Sequence, residues 1–249
     1  MSSKKRKNNQ KKKVALIGCG LIGQSWAISF LSAGFEVSLF DPVEGVTVQS
    51  KEKIKAKLKD LQNYGLLKNK NISDFLDKIH LARDIPQAVV DSFYVQESGP
   101  EDLDVKKALT KKIDSATPDN IPIASSTSGI PASLYASGVK GKYRCLVAHP
   151  INPPHLIPAV EIVPAPFTNE SITRAVKKII TSIDKEPLEL KKEIPGFVVN
   201  RLQGALLCEA FNLVKEGIAS AEDIDKAISE GLGLRWSFMG PFQTIHLNA

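Results

Sequence analysis

Gly18-Cys19-Gly20-Leu21-Ile22-Gly23 is a G-x-G-x-x-G run set between a short apolar stretch, Val14-Ala15-Leu16-Ile17, and a helical pattern from about Leu21 to Ala33. In that setting each glycine has a task. Gly18 permits a tight turn, Gly20 lets the backbone approach a pyrophosphate, and Gly23 lets helix and strand pack closely. The helix N-terminus that follows offers free N–H groups and positive potential to phosphate. Asp41 closes the next apolar run, 18 residues past Gly23. An acid at that place accepts hydrogen bonds from the ribose 2′-hydroxyl of NAD and repels the 2′-phosphate of NADP. No Lys or Arg follows it before Lys51, so NAD is the expected cofactor.

A second constellation is His149-Pro150-Ile151-Asn152-Pro153-Pro154, directly after the apolar run Cys145–Ala148. A histidine at the C-terminal edge of a parallel strand faces the crevice in which such sheets bind ligands. Oxidising an alcohol needs a base for the hydroxyl proton while hydride leaves the carbon, and imidazole titrates near the right pH. Glu161, 12 residues on, is placed to hold the other ring nitrogen. A solitary histidine is more often structural, and His80, His155 and His246 are read that way. Ser125-Ser126-Thr127-Ser128-Gly129 follows another strand-like run, and its hydroxyls suit substrate oxygens or turns and a helix cap equally well. Asn200 offers an amide that can donate to a carbonyl oxygen, or a plain capping side chain.

These residues need a scaffold of alternating strands and helices. Phe35–Phe40 alternates as a second strand, completing a βαβ unit, and further strands are expected near 88–96, 121–125, 143–148 and 159–163. Helices are expected over 51–68, 101–115 and 170–183. The pattern predicts a Rossmann-type, doubly wound, mainly parallel sheet covered on both faces. After Pro187 the character changes to a long helix over 197–216 and a shorter one over 221–230. The expected division is a basic tail at 1–13, a nucleotide-binding domain at 14–192 and a helical domain at 193–249.

The 249 residues carry a formal charge of +6, yet seven basic residues and no acid lie in the first 13. Over 14–249 there remain 26 basic and 27 acidic residues, so the basicity belongs to a polar arm that is expected to be disordered and not to the fold. Nucleic acid is accordingly not an expected partner. No apolar run approaches the roughly 20 residues of a bilayer span, and no signal peptide is visible. Cys19, Cys145 and Cys208 are widely spaced in apolar surroundings, which suggests buried reduced thiols, no metal site and a cytoplasmic location.

Taken together, these motifs resemble the 3-hydroxyacyl-CoA dehydrogenase superfamily, and its sugar-acid branch in particular. The similarity runs from about Val14 to the last residue. It includes Gln96-Glu97-Ser98-Gly99-Pro100-Glu101-Asp102-Leu103, Gly196-Phe197-Val198-Val199-Asn200-Arg201 and Glu230-Gly231-Leu232-Gly233-Leu234-Arg235-Trp236. The resemblance implies that His149 is the acid–base group with Glu161 as its partner, and that Ser128 and Asn200 bind the reacting oxygen or position substrate. It places Gly18, Gly20, Leu21, Ile22 and Gly23 at the pyrophosphate, Asp41 at the ribose, and Glu101 and Lys106 on the nicotinamide side. The implied activity is NAD-dependent oxidation of the 3-hydroxyl of L-gulonate, a small hydroxy acid, in a homodimer. A 3-hydroxyacyl-CoA is the alternative substrate, and a structural NAD-binding protein without turnover is the alternative role. The family pattern continues past the position matching Ala249, so the helical domain is expected to be a shortened one.

Overall fold

The computed structural model describes residues 13–67 and 71–247. The chain divides into two units, one ending at Val198 and the other beginning at Val199. The expected arm over 1–13 lies outside the described residues except for Lys13, which opens the first strand.

The first unit is built around strands β1 (Lys13–Ile17), β2 (Glu36–Phe40), β3 (Ile79–Leu81), β4 (Ser92–Glu97), β5 (Ile123–Ser125), β6 (Cys145–Pro150), β7 (Ala159–Pro164) and β8 (Glu186–Glu189). Its helices are α1 (Leu21–Ser32), α2 (Val46–Asn63), α3 (Ile72–Leu76), α4 (Ile85–Val89), α5 (Leu103–Ala116), α6 (Ala132–Ala136) and α7 (Glu170–Thr181). The strands form one sheet in the order β3-β2-β1-β4-β5-β6-β7-β8. Every neighbouring pair is parallel except β6 with β7. Chain order reverses across β1 and β4, the switch point at which doubly wound sheets open a ligand crevice.

Period-two side-chain alternation splits each central strand between two cores. Along β1, Val14 and Leu16 join Trp26, Phe30, Leu39 and Ile180 on one face. Ala15 and Ile17 join Val95, Ile113, Tyr135 and Val147 on the other. Burial on both faces is why Val14–Ile17 reads as an unbroken apolar run and not an alternating one.

Three local expectations are corrected. The strand expected over 88–96 begins only at Ser92. Residues 85–89 form α4, whose start is capped by the Asp84 carboxylate accepting from the Gln87 N–H at 2.7 Å, with a proline in the first turn. The helix expected over 51–68 starts five residues earlier, because Gly45 at φ +77° supplies the left-handed turn that begins it. Gly65, at φ +70°, follows its end, and Lys68 lies outside the described residues. Thirdly, Cys208 is exposed, whereas Cys19 and Cys145 are buried and none of the three is in a disulfide.

The second unit holds α8 (Val199–Lys215), α9 (Ala221–Lys226), a π-helical turn at Ala227–Leu232, α10 (Gly233–Trp236) and α11 (Pro241–Leu247). Leu202 and Phe211 of α8 are 64% and 70% exposed. Among the described residues, no helix is long and apolar enough to cross a membrane.

Candidate functional site

The glycine loop carries out a division of labour that can be read from the space around each residue. Gly18 has φ +98°, and a Cβ there would lie 2.5 Å from the Ser98 carbonyl oxygen. A Cβ on Gly23 would lie 1.9 Å from the Gly18 carbonyl oxygen, so only glycine lets α1 begin this close to the turn. Gly20 is different: a Cβ there meets nothing within 4 Å. Its absence leaves the backbone open to a ligand and does not relieve any internal contact. Gly18 and Gly20 line a cleft of about 1390 Å³, together with Asp41, Val43, Ile85 and Leu109. The N–H groups of the first turn of α1 have no intrahelical acceptors, which suits them to phosphate oxygens.

Asp41 stands just past β2 and ties the loop down. Its Oδ2 accepts from the Cys19 N–H at 2.9 Å and its Oδ1 from the Val43 N–H at 3.0 Å. Each oxygen keeps lone-pair capacity for ribose hydroxyls. The Cys19 thiol is pushed up to about 12 by burial and by the Asp41 charge, so it is no nucleophile. An open glycine loop, a free helix start and an acid just past the second strand are the donor and acceptor set that NAD needs.

His149 and Glu161 face each other across the antiparallel β6–β7 pair. His149 Nδ1 and Glu161 Oε2 are 2.7 Å apart. The other Glu161 oxygen accepts from the Val198 N–H at 2.7 Å. Glu161 is fully buried and His149 is 7% exposed, with the Phe197 ring centroid 5.7 Å from the imidazole. Phe197 itself has φ +51°, a rare backbone state for a non-glycine residue. Both carboxylate oxygens are thus engaged inside the protein, which fixes the ring's orientation and favours the tautomer with Nδ1–H.

At the ends of β4 and β5 a second group gathers. The Glu101 Oε1 accepts from Thr127 Oγ1 at 2.7 Å, from the Ser128 N–H at 3.0 Å and hydroxyl at 3.2 Å, and from the Gly129 N–H at 3.2 Å. Burial alone would raise the Glu101 carboxyl. The Thr127 hydrogen bond, the Lys106 charge and the two backbone donors outweigh it and hold the group below its usual value. Lys106, 1% exposed, lies 3.7 Å from Glu101 and 3.1 Å from Glu97. So Ser128, Glu101 and Lys106, drawn from two separate stretches of sequence, share one cluster. Asn200 belongs to the second unit, in the first turn of α8.

Some members of these networks escape sequence reasoning. Glu97 accepts from Lys106 and Ser125 and is buried at the end of β4, next to the buried Gln96. An acid inside a parallel strand is itself a usable signal. Ser126 is a hub: Trp26 Nε1 donates to its hydroxyl at 3.0 Å and Gln96 Nε2 at 2.7 Å. Gln96 also donates to the carbonyl of Ala148, next to His149, at 3.3 Å. Nothing in one sequence marks such a hub. Among the described residues, no three His, Cys, Asp or Glu side chains are gathered as a metal ion would need.

Comparison with known proteins agrees with this geometry. Residues 13–194 match the NAD binding domain of 3-hydroxyacyl-CoA dehydrogenase, and residues 196–249 match the C-terminal domain of the same family. The human lambda-crystallin homolog is 42% identical over 238 residues, 95% of this chain and 74% of the relative. An L-carnitine dehydrogenase from Oceanobacillus iheyensis is 41% identical over 238 residues, 95% of this chain and 76% of that one. Among solved structures, an NAD+-dependent dismutase, 5-formyl-3-hydroxy-2-methylpyridine 4-carboxylic acid 5-dehydrogenase, superposes with a TM-score of 0.86 at 28% identity, covering 96% of this chain and 76% of that one. With a glycine-rich loop, an acid just past the second strand and a buried His–Glu pair set on one doubly wound sheet, the chain belongs to the 3-hydroxyacyl-CoA dehydrogenase family, NAD-dependent enzymes that act on CH–OH groups.

Proposed function

We propose that this chain oxidises the 3-hydroxyl of L-gulonate to the 3-keto acid. The observation that carries the reading is the His149–Glu161 pair, buried and 2.7 Å apart. Glu161 keeps Nδ1 protonated, so Nε2 carries the lone pair that takes the substrate's hydroxyl proton. As the proton arrives, the fixed carboxylate stabilises the imidazolium at no cost in reorganisation. Bound NAD supplies the hydride acceptor. Ser128 and Asn200 position the reacting oxygen, and Glu101 and Lys106 lie on the nicotinamide side. Gly18, Gly20, Leu21, Ile22 and Gly23 receive the pyrophosphate, and Asp41 holds the adenosine ribose. A homodimer in the cytoplasm is part of the same reading.

The similarity to lambda-crystallin homologs supports a small hydroxy acid over an acyl-CoA. A 41% identical L-carnitine dehydrogenase makes L-carnitine the substrate to compare with it. Parallel assays of NADH production with L-gulonate, L-carnitine and 3-hydroxybutyryl-CoA test the assignment. The highest kcat/KM is expected for L-gulonate. Preference for either of the others would replace it, and tight NADH binding without turnover would favour a structural role.

A further inference from the structure

Glu97 is the last residue of β4, at the sheet edge where the crevice opens. It is 2% exposed and its acceptor sites are filled from within the protein. Lys106 Nζ donates to Oε1 at 3.3 Å and to Oε2 at 3.1 Å, Ser125 Oγ donates to Oε2, and the Gly99 N–H donates to Oε1. A group so fully engaged and so buried touches no ligand. Its effect must pass through Lys106.

Lys106 has two carboxylates to choose between. It lies 3.1 Å from Glu97 and 3.7 Å from Glu101. The Glu97 and Lys106 side chains are 3% and 1% exposed, whereas that of Glu101 is 45% exposed. Of the three, only Glu101 presents charge at the surface. Paired with Lys106 alone, Glu101 would form a neutral couple. Glu97 takes up the ammonium charge at the shorter distance and leaves the Glu101 carboxylate uncompensated, held outward by Thr127, Ser128 and Gly129. A buried ion pair is seldom more stable than a well-packed apolar pair, so stability alone does not account for it.

We propose that Glu97 is a positioning residue: its buried carboxylate fixes and neutralises Lys106, so that Glu97, Lys106 and Glu101 together present one net negative charge on the nicotinamide side of the site. This rests on the reading that Glu101 and Lys106 lie on that side. The nicotinamide ring is cationic in NAD+ and neutral in NADH. A net negative cluster therefore strengthens NAD+ binding relative to NADH.

The test is the ratio of dissociation constants, Kd(NAD+)/Kd(NADH), measured by fluorescence titration at pH 7 on the full chain. A unit charge about 10 Å from a cation in a medium of effective dielectric about 20 changes its binding roughly 10-fold. E97Q, which takes the cluster from −1 to neutral, is expected to raise the ratio at least about threefold. K106M, which takes it to −2, lowers the ratio, and adding E97Q to K106M restores the net charge of −1 and the wild-type ratio. The second comparison reads the Glu97 charge even if E97Q alone fails to fold, since both buried charges leave together. A purely structural role would lower the melting temperature and weaken both nucleotides in parallel. Ratios that stay within threefold across both comparisons would overturn the proposal while leaving the cofactor reading intact. Failure of the wild type to bind either nucleotide would overturn both.

Discussion

Replacing Glu161 by glutamine probes the site most sharply, because the change in size is negligible and the change in chemistry is not. Both carboxylate oxygens accept hydrogen bonds, from His149 Nδ1 and from the Val198 N–H, each at 2.7 Å. An amide has one acceptor and one donor end, so it cannot satisfy two donors. If its oxygen faces Val198, its NH2 group faces Nδ1 and forces the proton to Nε2, which removes the base. If its oxygen faces His149, NH2 opposes the backbone N–H, which costs about 1–3 kcal/mol in a fully buried place. In either arrangement the imidazolium loses its counter-charge. Two unit charges about 4 Å apart at an effective dielectric near 20 interact by about 4 kcal/mol, or about 10³-fold in rate. The assay is NADH formation at 340 nm under saturating NAD, with NADH affinity measured separately by fluorescence. E161Q is expected to lose about 10³-fold in kcat while its Kd for NADH stays within about twofold. Retention of kcat within tenfold of wild type would refute the proposed role of the pair.

Other outcomes follow from the same structure. Gly20→Ala and Gly23→Ala separate the two uses of glycine. Gly20→Ala should fold with near wild-type stability and lose NAD affinity, whereas Gly23→Ala meets the Gly18 carbonyl at 1.9 Å and should lose about 3 kcal/mol in urea denaturation. Equal effects of the two on stability would contradict the cradle. His155, hydrogen-bonded to Ser25 Oγ at 3.1 Å, is lowered from the usual 6.5 by burial, then by Lys57 and Lys185. The folded chain thus binds this proton more weakly than the unfolded one. The resulting stability is fully present above about pH 6.5 and is lost as pH falls through the lowered folded value. His155→Gln should therefore lose less melting temperature than wild type between pH 7.5 and 5.5, and an unchanged loss would count against the electrostatic account of this site.

How much of this was legible beforehand depends on the range of the interactions. The glycine loop and Asp41 are local to one βαβ unit, so spacing alone assigns them tasks. The pairing of His149 with Glu161 comes from strand register, which aligns those two residues on β6 and β7. Sequence shows a 12-residue interval but not that the strands run antiparallel. Residues 85–89 were open to misreading because Ile85, Val89 and Val90 mimic a strand, while the Asp84 cap and the first-turn Pro86 carry the helical signal. Glu101 and Lys106 are ordinary surface residue types, and only family resemblance singled them out. The partners of Glu97 are not legible in the sequence, because Lys106 and Ser125 lie 9 and 28 residues away and meet it only when β4 and β5 pair and α5 packs on them.

The central claim is that His149, held by Glu161, moves the substrate's proton while the rest of the site holds nucleotide. It is tested most directly by His149→Gln, with steady-state NADH production on L-gulonate and NAD binding measured on the same preparation. The account predicts a loss of at least about 10²-fold in kcat with NAD affinity nearly unchanged. A His149→Gln protein that turns over L-gulonate at close to the wild-type rate would contradict it.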